Sequence, residues 1–253
     1  MSNYYIRIRN AELAYPATTY NALTLKEEVF KFFRIGKPTK LLYDIHAIKN
    51  MTLDINEGER LGIIGRNGAG KSSLLKAIAG IYPLQSGSIE TSGKIRSMFE
   101  LSLGFEFEAS GRENILYRGL LLGESPESVR EKIDEIIAFA ELGEFIDYPI
   151  KAYSAGMLVR LAFSISTTIR GDILLMDEIL AAGDAGFQVK AQKRMEELIN
   201  NAKIIVLVSH DLAAVEKICN RAIYISSGEI VADGKASDVV REYRNSMNAG
   251  VVK

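Results

Sequence analysis

Three short apolar runs organise the chain. Leu61-Gly62-Ile63-Ile64, Ile173-Leu174-Leu175-Met176 and Ile204-Ile205-Val206-Leu207-Val208 carry no polar side chain. Strands of a parallel sheet, covered on both faces, read this way. The second and third runs each follow a helical stretch, and that alternation predicts an α/β fold around a largely parallel sheet. Ahead of them, Ile6 to Tyr15 alternates as a first strand, and a second lies near Ile48 to Ile55, closed by the turn Asn56-Glu57-Gly58-Glu59. A helix is expected from Ser72 to Gly80. Residues 110 to 170 are mostly helical in pattern; Glu127 to Ala140, for one, puts Val129, Ile133, Ile136, Ile137 and Ala140 on one side. Ala222 to Val231 reads as a hairpin. Residues 16 to 43 break the pattern, with a short helix over Leu25 to Phe33 that Gly36 and Pro38 stop.

Composition narrows the class. At 253 residues, one or two domains are expected, long enough to bury a core without disulfides or metals. Cys219 has no second cysteine to pair with, which suits a reducing compartment. The histidines are His46 and His210 alone, so a His-rich metal site is not expected. The net charge of −1 gives no global pull toward nucleic acid or anionic lipid. No apolar run approaches the roughly 18 residues of a membrane span, and the start, Met1 to Arg7, lacks the apolar stretch of a signal peptide. The expectation is a cytoplasmic chain with no span of its own, which leaves open whether it works beside a membrane.

Candidate chemistry collects at the ends of the apolar runs. Gly65-Arg66-Asn67-Gly68-Ala69-Gly70-Lys71-Ser72 follows the first run and matches G-x-x-x-x-G-K-[ST], with Ser73 next. Glycines let the loop turn its N–H groups toward phosphate oxygens, and the helix that follows adds its positive end. Lys71 is placed for the outer phosphates, and the Ser72 hydroxyl for Mg²⁺. The second run ends in Asp177-Glu178. There Asp177 suits Mg²⁺, bound through water, and Glu178 suits a base for an attacking water; a solvated acidic turn is the other reading of the pair alone. The third run ends in Ser209-His210, where a neutral imidazole can meet a terminal phosphate; a satisfied surface histidine is the alternative.

Tyr153-Ser154-Ala155-Gly156-Met157 separates the possibilities. Placed before a helix and upstream of Asp177, it resembles the signature loop of the ATP-binding cassette (ABC) ATPases. Ser154 suits a helix cap, and with Gly156 it presents hydroxyl and N–H groups to a phosphate. The resemblance spans about residues 4 to 240. It implies a P-loop NTPase fold of the ABC type, with a RecA-like parallel-sheet core, an antiparallel β subdomain and a helical subdomain near 105–170. The nucleotide-binding domain would run over 1–245, with an insertion near 16–43 and a tail at 246–253. It further implies ATP and Mg²⁺ as cofactors. Tyr15 resembles the aromatic that stacks on adenine, with Tyr43 and His46 as rivals. Asp184, in Ala182-Gly183-Asp184, resembles the loop that crosses a dimer interface, or is an acidic turn residue. Glu100 stands where most members have a metal-binding glutamine; a carboxylate still binds Mg²⁺ but, ionised, donates no hydrogen bond.

These departures, with Leu103-Gly104-Phe105 and Ser110-Gly111-Arg112-Glu113-Asn114, resemble the polysaccharide-exporting ABC ATPases that serve O-antigen, teichoic acid and related lipid-linked glycans. The resemblance implies two subunits head to tail, a separate membrane permease, a lipid-linked polysaccharide as cargo and no nucleic acid. Its place would be the cytoplasmic face of the cell inner membrane. With the chain ending at Lys253, no carbohydrate-binding domain is expected after the cassette. Another ABC transporter with different cargo, or a soluble ABC ATPase, are the competing classes. In the insertion, Lys26, Lys31, Arg34, Lys37 and Lys40 interleave with Phe30, Phe32 and Phe33. That suits a membrane-facing surface, or a solvated loop packed on the core.

Overall fold

The computed structural model describes residues 4–17, 43–99, 104–177 and 185–249. The expected helix at Leu25 to Phe33, and nearly all of the 16–43 insertion, lie outside them. Two sheets form the body. In the first, β1 (Tyr5–Ala17) pairs antiparallel with β2 (Tyr43–Asn56) on one side and β4 (Ser86–Ser92) on the other. Ile6 and Ile8 face the core, and so do Ala11 and Leu13, although a strict alternation would turn those two outward. A bulge between Ile8 and Ala11, with Asn10 at φ 46°, inserts the extra residue that restores the inward phase.

The second sheet takes the order β5 (Ile95–Ser97), β6 (Ile173–Asp177), β7 (Ile204–Val208), β3 (Arg60–Ile64), β8 (Arg221–Ser226), β9 (Glu229–Lys235). Every pairing is parallel except the β8–β9 hairpin. Both faces of the apolar runs are covered. Ile63, Leu175 and Val206 pack with the antiparallel sheet and α1 (Lys71–Ile78). Leu174, Met176 and Leu207 pack with α6 (Leu212–Ile218) and α7 (Ala236–Ala249) on the other face. That double cover is why these strands carry no polar alternation.

A separate apolar cluster builds the helical unit from α2 (Gly111–Leu121), α3 (Pro126–Ala140) and α4 (Ala155–Thr168), around Ile115, Ile136, Leu161 and Ile165. Ser110 and Glu113 form a capping box at the start of α2, and Ser125 caps α3 ahead of Pro126. Most of the second half of α4 is buried, yet three of its hydroxyls bond within the helix. Ser164 donates to the Arg160 carbonyl at 2.6 Å, Thr167 to Phe163 at 2.8 Å and Thr168 to Ser164 at 2.9 Å. Phe139 on α3, Phe163 on α4 and Phe187 on α5 (Ala185–Asn201) form a ring cluster with centroids 5.7–6.1 Å apart. It joins the helical unit to the α/β body.

The expected strands, loop helix and hairpin are all present, with longer β1 and β2 and an α1 that begins at Lys71 and ends at Ile78. The last helix continues to Ala249, past the expected boundary at 245. No helix of the described residues is long and apolar enough to cross a membrane.

Candidate active site

The central strands end level. Ile63 of β3 is the register partner of Val208 of β7, and Val208 is in turn the partner of Asp177 of β6. This places the glycine loop, the Ser209-His210 turn and Asp177 along one edge, the carboxyl ends of parallel strands, where open α/β sheets bind ligands. A cavity of about 670 Å³ lies there, lined among others by Tyr15, His46, Lys71, Ser72, Asp177 and His210.

The loop is held tightly from behind. Gly70 sits at φ +106°, and a Cβ there would stand 2.1 Å from the Ala47 carbonyl oxygen. At Gly65, φ +152°, a Cβ would stand 2.2 Å from the Ile225 carbonyl oxygen. Only glycine permits both the left-handed backbone and the approach. Lys71 is buried, and its ammonium donates to the carbonyls of Gly65 and Arg66 at 2.8 and 2.9 Å, offsetting the desolvation of the charge. The first intrahelical bond of α1 runs from the Leu74 N–H to the Gly70 carbonyl. The amides of Ser72 and Ser73 therefore have no carbonyl partner within the helix. Gly70 offers no side-chain cap, and the first turn has no acidic residue. Amides at a helix N-terminus and a lysine beside them form a donor set that fits a polyanion.

No group of three or more His, Cys, Asp or Glu among the described residues is arranged to hold a metal ion by itself. The Ser72 hydroxyl and the Asp177 carboxylate, which line the same cavity, supply two oxygen donors. That fits Mg²⁺, which takes few protein ligands and keeps places for phosphate and water. Glu100, Glu178 and Asp184 lie outside the described residues.

Tyr15 lies beside the loop, its hydroxyl donating to Ser73 Oγ at 3.0 Å and its ring edge-to-face with Tyr82 at 5.6 Å. Across the β1–β2 pairing, His46 and Ile45 line the same cavity, both exposed. The aromatic rivals named from sequence thus share one rim, apart from Tyr43, whose side chain is outside the description. Ile45, Lys76 and Phe99 also line it, and no motif marks them.

Ser154 is the N-cap of α4, and its Oγ accepts from the Met157 N–H at 3.3 Å, as its place before a helix predicts. Ser154, Gly156 and Met157 border a second cavity of about 620 Å³ that shares no lining residue with the first. Phe145 and Arg160 line it too, and neither was marked by the sequence. Tyr153, grouped with the signature, points elsewhere. It is buried and donates from its hydroxyl to the Phe145 carbonyl at 2.5 Å; burial pushes its phenol above the usual range.

Comparison with known proteins places this geometry. A family model described as "ABC transporter" matches residues 48–181. An O-antigen export system ATP-binding protein of Myxococcus xanthus is 45% identical over 225 residues, covering 89% of this chain and 52% of that protein. A Yersinia enterocolitica protein of the same description is 41% identical, covering 88% of this chain and 94% of that protein. A teichoic acids export ATP-binding protein of Lactococcus lactis is 41% identical over 83% of this chain, which spans 45% of its length. Among solved structures, a dimeric bacterial ABC transporter cassette superposes with a TM-score of 0.64 over 91% of this chain and 98% of its own, at 23% identity, a likeness of fold.

Proposed function

This chain belongs to the ABC transporter family, and from that premise we propose that it is the ATP-hydrolysing subunit of an exporter of a lipid-linked polysaccharide. The observation that carries the reading is the separation of the two cavities. Lys71, Ser72, Asp177 and His210 border one, Ser154 and Gly156 the other, and no residue borders both. One copy cannot close both around the same nucleotide, so two copies face head to tail and each completes the other's site.

In that dimer the loop amides and Lys71 bind the phosphates of ATP, with the aromatic rim near Tyr15 and His46 against the adenine. Ser72 and Asp177, joined by Glu100, would hold Mg²⁺, which neutralises phosphate charge when bound. Glu178 takes the proton of the attacking water, and His210 orients that water at the terminal phosphate. Ser154 and Gly156 of the second copy close on the same phosphate, and Asp184 crosses the interface between copies. Closure and reopening are passed to a separate membrane permease through the chain near residues 100 to 120. The place of work is the cytoplasmic face of the inner membrane. The glycan cargo rests on the names of the relatives, which export O-antigen or teichoic acids.

Glu178→Gln should bind ATP, remain dimeric in its presence and turn over little, followed by phosphate release and size-exclusion chromatography. Near-normal turnover removes Glu178 from the base role. For the cargo, deletion of the gene should leave lipid-linked glycan inside the cell and deplete the surface polymer. An unchanged surface polymer points to another cargo.

A further inference from the structure

Glu141 follows the last residue of α3 with φ 52° and ψ 43°, the left-handed conformation that helix ends usually give to glycine or asparagine. Holding a glutamate in that conformation costs backbone energy, which the contacts of its side chain offset. Its carboxylate accepts from Lys190 Nζ of α5 at 2.7 Å and stands 3.9 Å from Arg160 NH1 of α4. Lys190 also donates to the Phe139 carbonyl at 3.2 Å and lies 4.6 Å from the Phe139 ring centroid. Arg160 lies 5.2 Å from the Phe187 ring centroid. One carboxylate thus ties the end of α3, the body of α4 and the second turn of α5. Glu141 and Arg160 line the same cavity as Ser154 and Gly156, and Arg160 follows Gly156 by four residues, on one face of α4.

We propose that Glu141 is a positioning residue for the nucleotide site of a second copy, fixing through Arg160 and Lys190 where the Ser154 end of α4 stands relative to the α/β body. This rests on the reading that Ser154 and Gly156 close on the other copy's phosphate. The carboxylate acts through these two cations rather than on the nucleotide itself. It holds α4 by its side and α5 by its start, so the signature end and the helix that follows the Glu178–Asp184 segment keep one relative position. Its charge also offsets the two cations beside the cavity.

The test uses ATP-driven dimerisation in a Glu178→Gln background, with thermal unfolding of each variant alongside. Glu141→Gly removes the carboxylate while giving the backbone the residue its conformation favours, so its melting temperature should hold or rise. Its dimerisation should nevertheless weaken about tenfold, as should that of Glu141→Gln, the size of coupling typical of a contacting pair. Binding of a fluorescent ATP analogue to the monomer should not change. Glu141→Asp, which keeps the carboxylate, should recover part of the loss. Wild-type dimerisation in both Glu141→Gly and Glu141→Gln, or loss of dimerisation only where the melting temperature falls, overturns the proposal. Failure of the Glu178→Gln parent itself to dimerise with ATP overturns instead the two-copy reading on which it rests.

Discussion

Glu124 offers the sharpest test of how the helical unit is fastened to the sheet. It sits between α2 and α3 with its side chain 4% exposed, and it accepts from Arg96 of β5 at 2.7 Å and Lys132 at 2.6 Å, with Lys94 and Ser128 as further partners. Burial alone would raise its carboxyl, but the bonds from Lys132, Lys94 and Ser128 outweigh that and hold it well below the usual carboxylate range. In Glu124→Ala, Lys94 and Lys132, 48% and 30% exposed, can turn to water and add little. Arg96 is 7% exposed and cannot, though it keeps the Leu122 and Arg170 carbonyls at 2.6 and 3.2 Å. Breaking a buried pair costs about 3–5 kcal/mol, and the retained carbonyl bonds put this case near the lower end, about 3 kcal/mol. For a chain of this length that lowers the melting temperature by roughly 6–12 °C. The sign of the pH dependence follows from the lowered carboxyl. The stabilisation is fully present above the ordinary carboxylate value of 4.5 and is lost as pH falls toward the folded value, so wild type and variant converge in acid. Urea unfolding followed by circular dichroism at pH 7 and at successively lower pH measures both quantities. A difference under about 1 kcal/mol at neutral pH, or one that does not shrink in acid, refutes a fastening role for this cluster. Glu124→Ala combined with Arg96→Met should recover much of the loss, because no buried cation is then left behind.

Two further outcomes follow from the described geometry. Gly70→Ala adds a Cβ 2.1 Å from the Ala47 carbonyl oxygen at a backbone angle of +106°, and should weaken binding of a fluorescent ATP analogue more than about tenfold; unchanged affinity would mean the loop has another way to form. Cys219 is buried, and burial pushes its thiol up to about 12, with Arg60 pulling only slightly the other way. A thiol-specific reagent at pH 8 should therefore label it at the rate of unfolding, and rapid labelling of the folded protein would contradict that burial.

The central sheet was legible because burial on both faces writes itself into composition: Ile204 to Val208 has no other reading than a covered strand or helix core, and its length decides for the strand. The loop and the signature were legible because their chemistry is local, set by backbone conformations that consecutive residues must share. β4 was not, since Ser86–Ser92 offers Ile89 as its one large apolar residue and is defined by the strand beside it. β5 escaped for a similar reason, three residues whose pairing with β6 supplies the identity. The Glu124 cluster had no signal at all. Its partners stand 4 to 30 positions away in sequence, on a strand, a loop and a helix that no single spacing rule links. Tyr153 shows what adjacency leaves open: it stands in the loop before α4, while its side chain turns inward to bind the Phe145 carbonyl. The β1 bulge explains why the alternation at Ile6 and Ile8 resumes out of phase at Ala11 and Leu13.

The hydroxyls of α4 have a mechanical consequence. Ser164, Thr167 and Thr168 each return their hydrogen bond to a carbonyl one turn back on the same helix. These buried polar groups therefore carry no address on a neighbouring element. A rod whose polar groups are internally paid can slip or roll against its surroundings without stranding a donor, and only shape resists it. On this view the lower stretch of α4 behaves as a bearing, and Arg160, the one charged residue of the helix, as the stop that sets its travel.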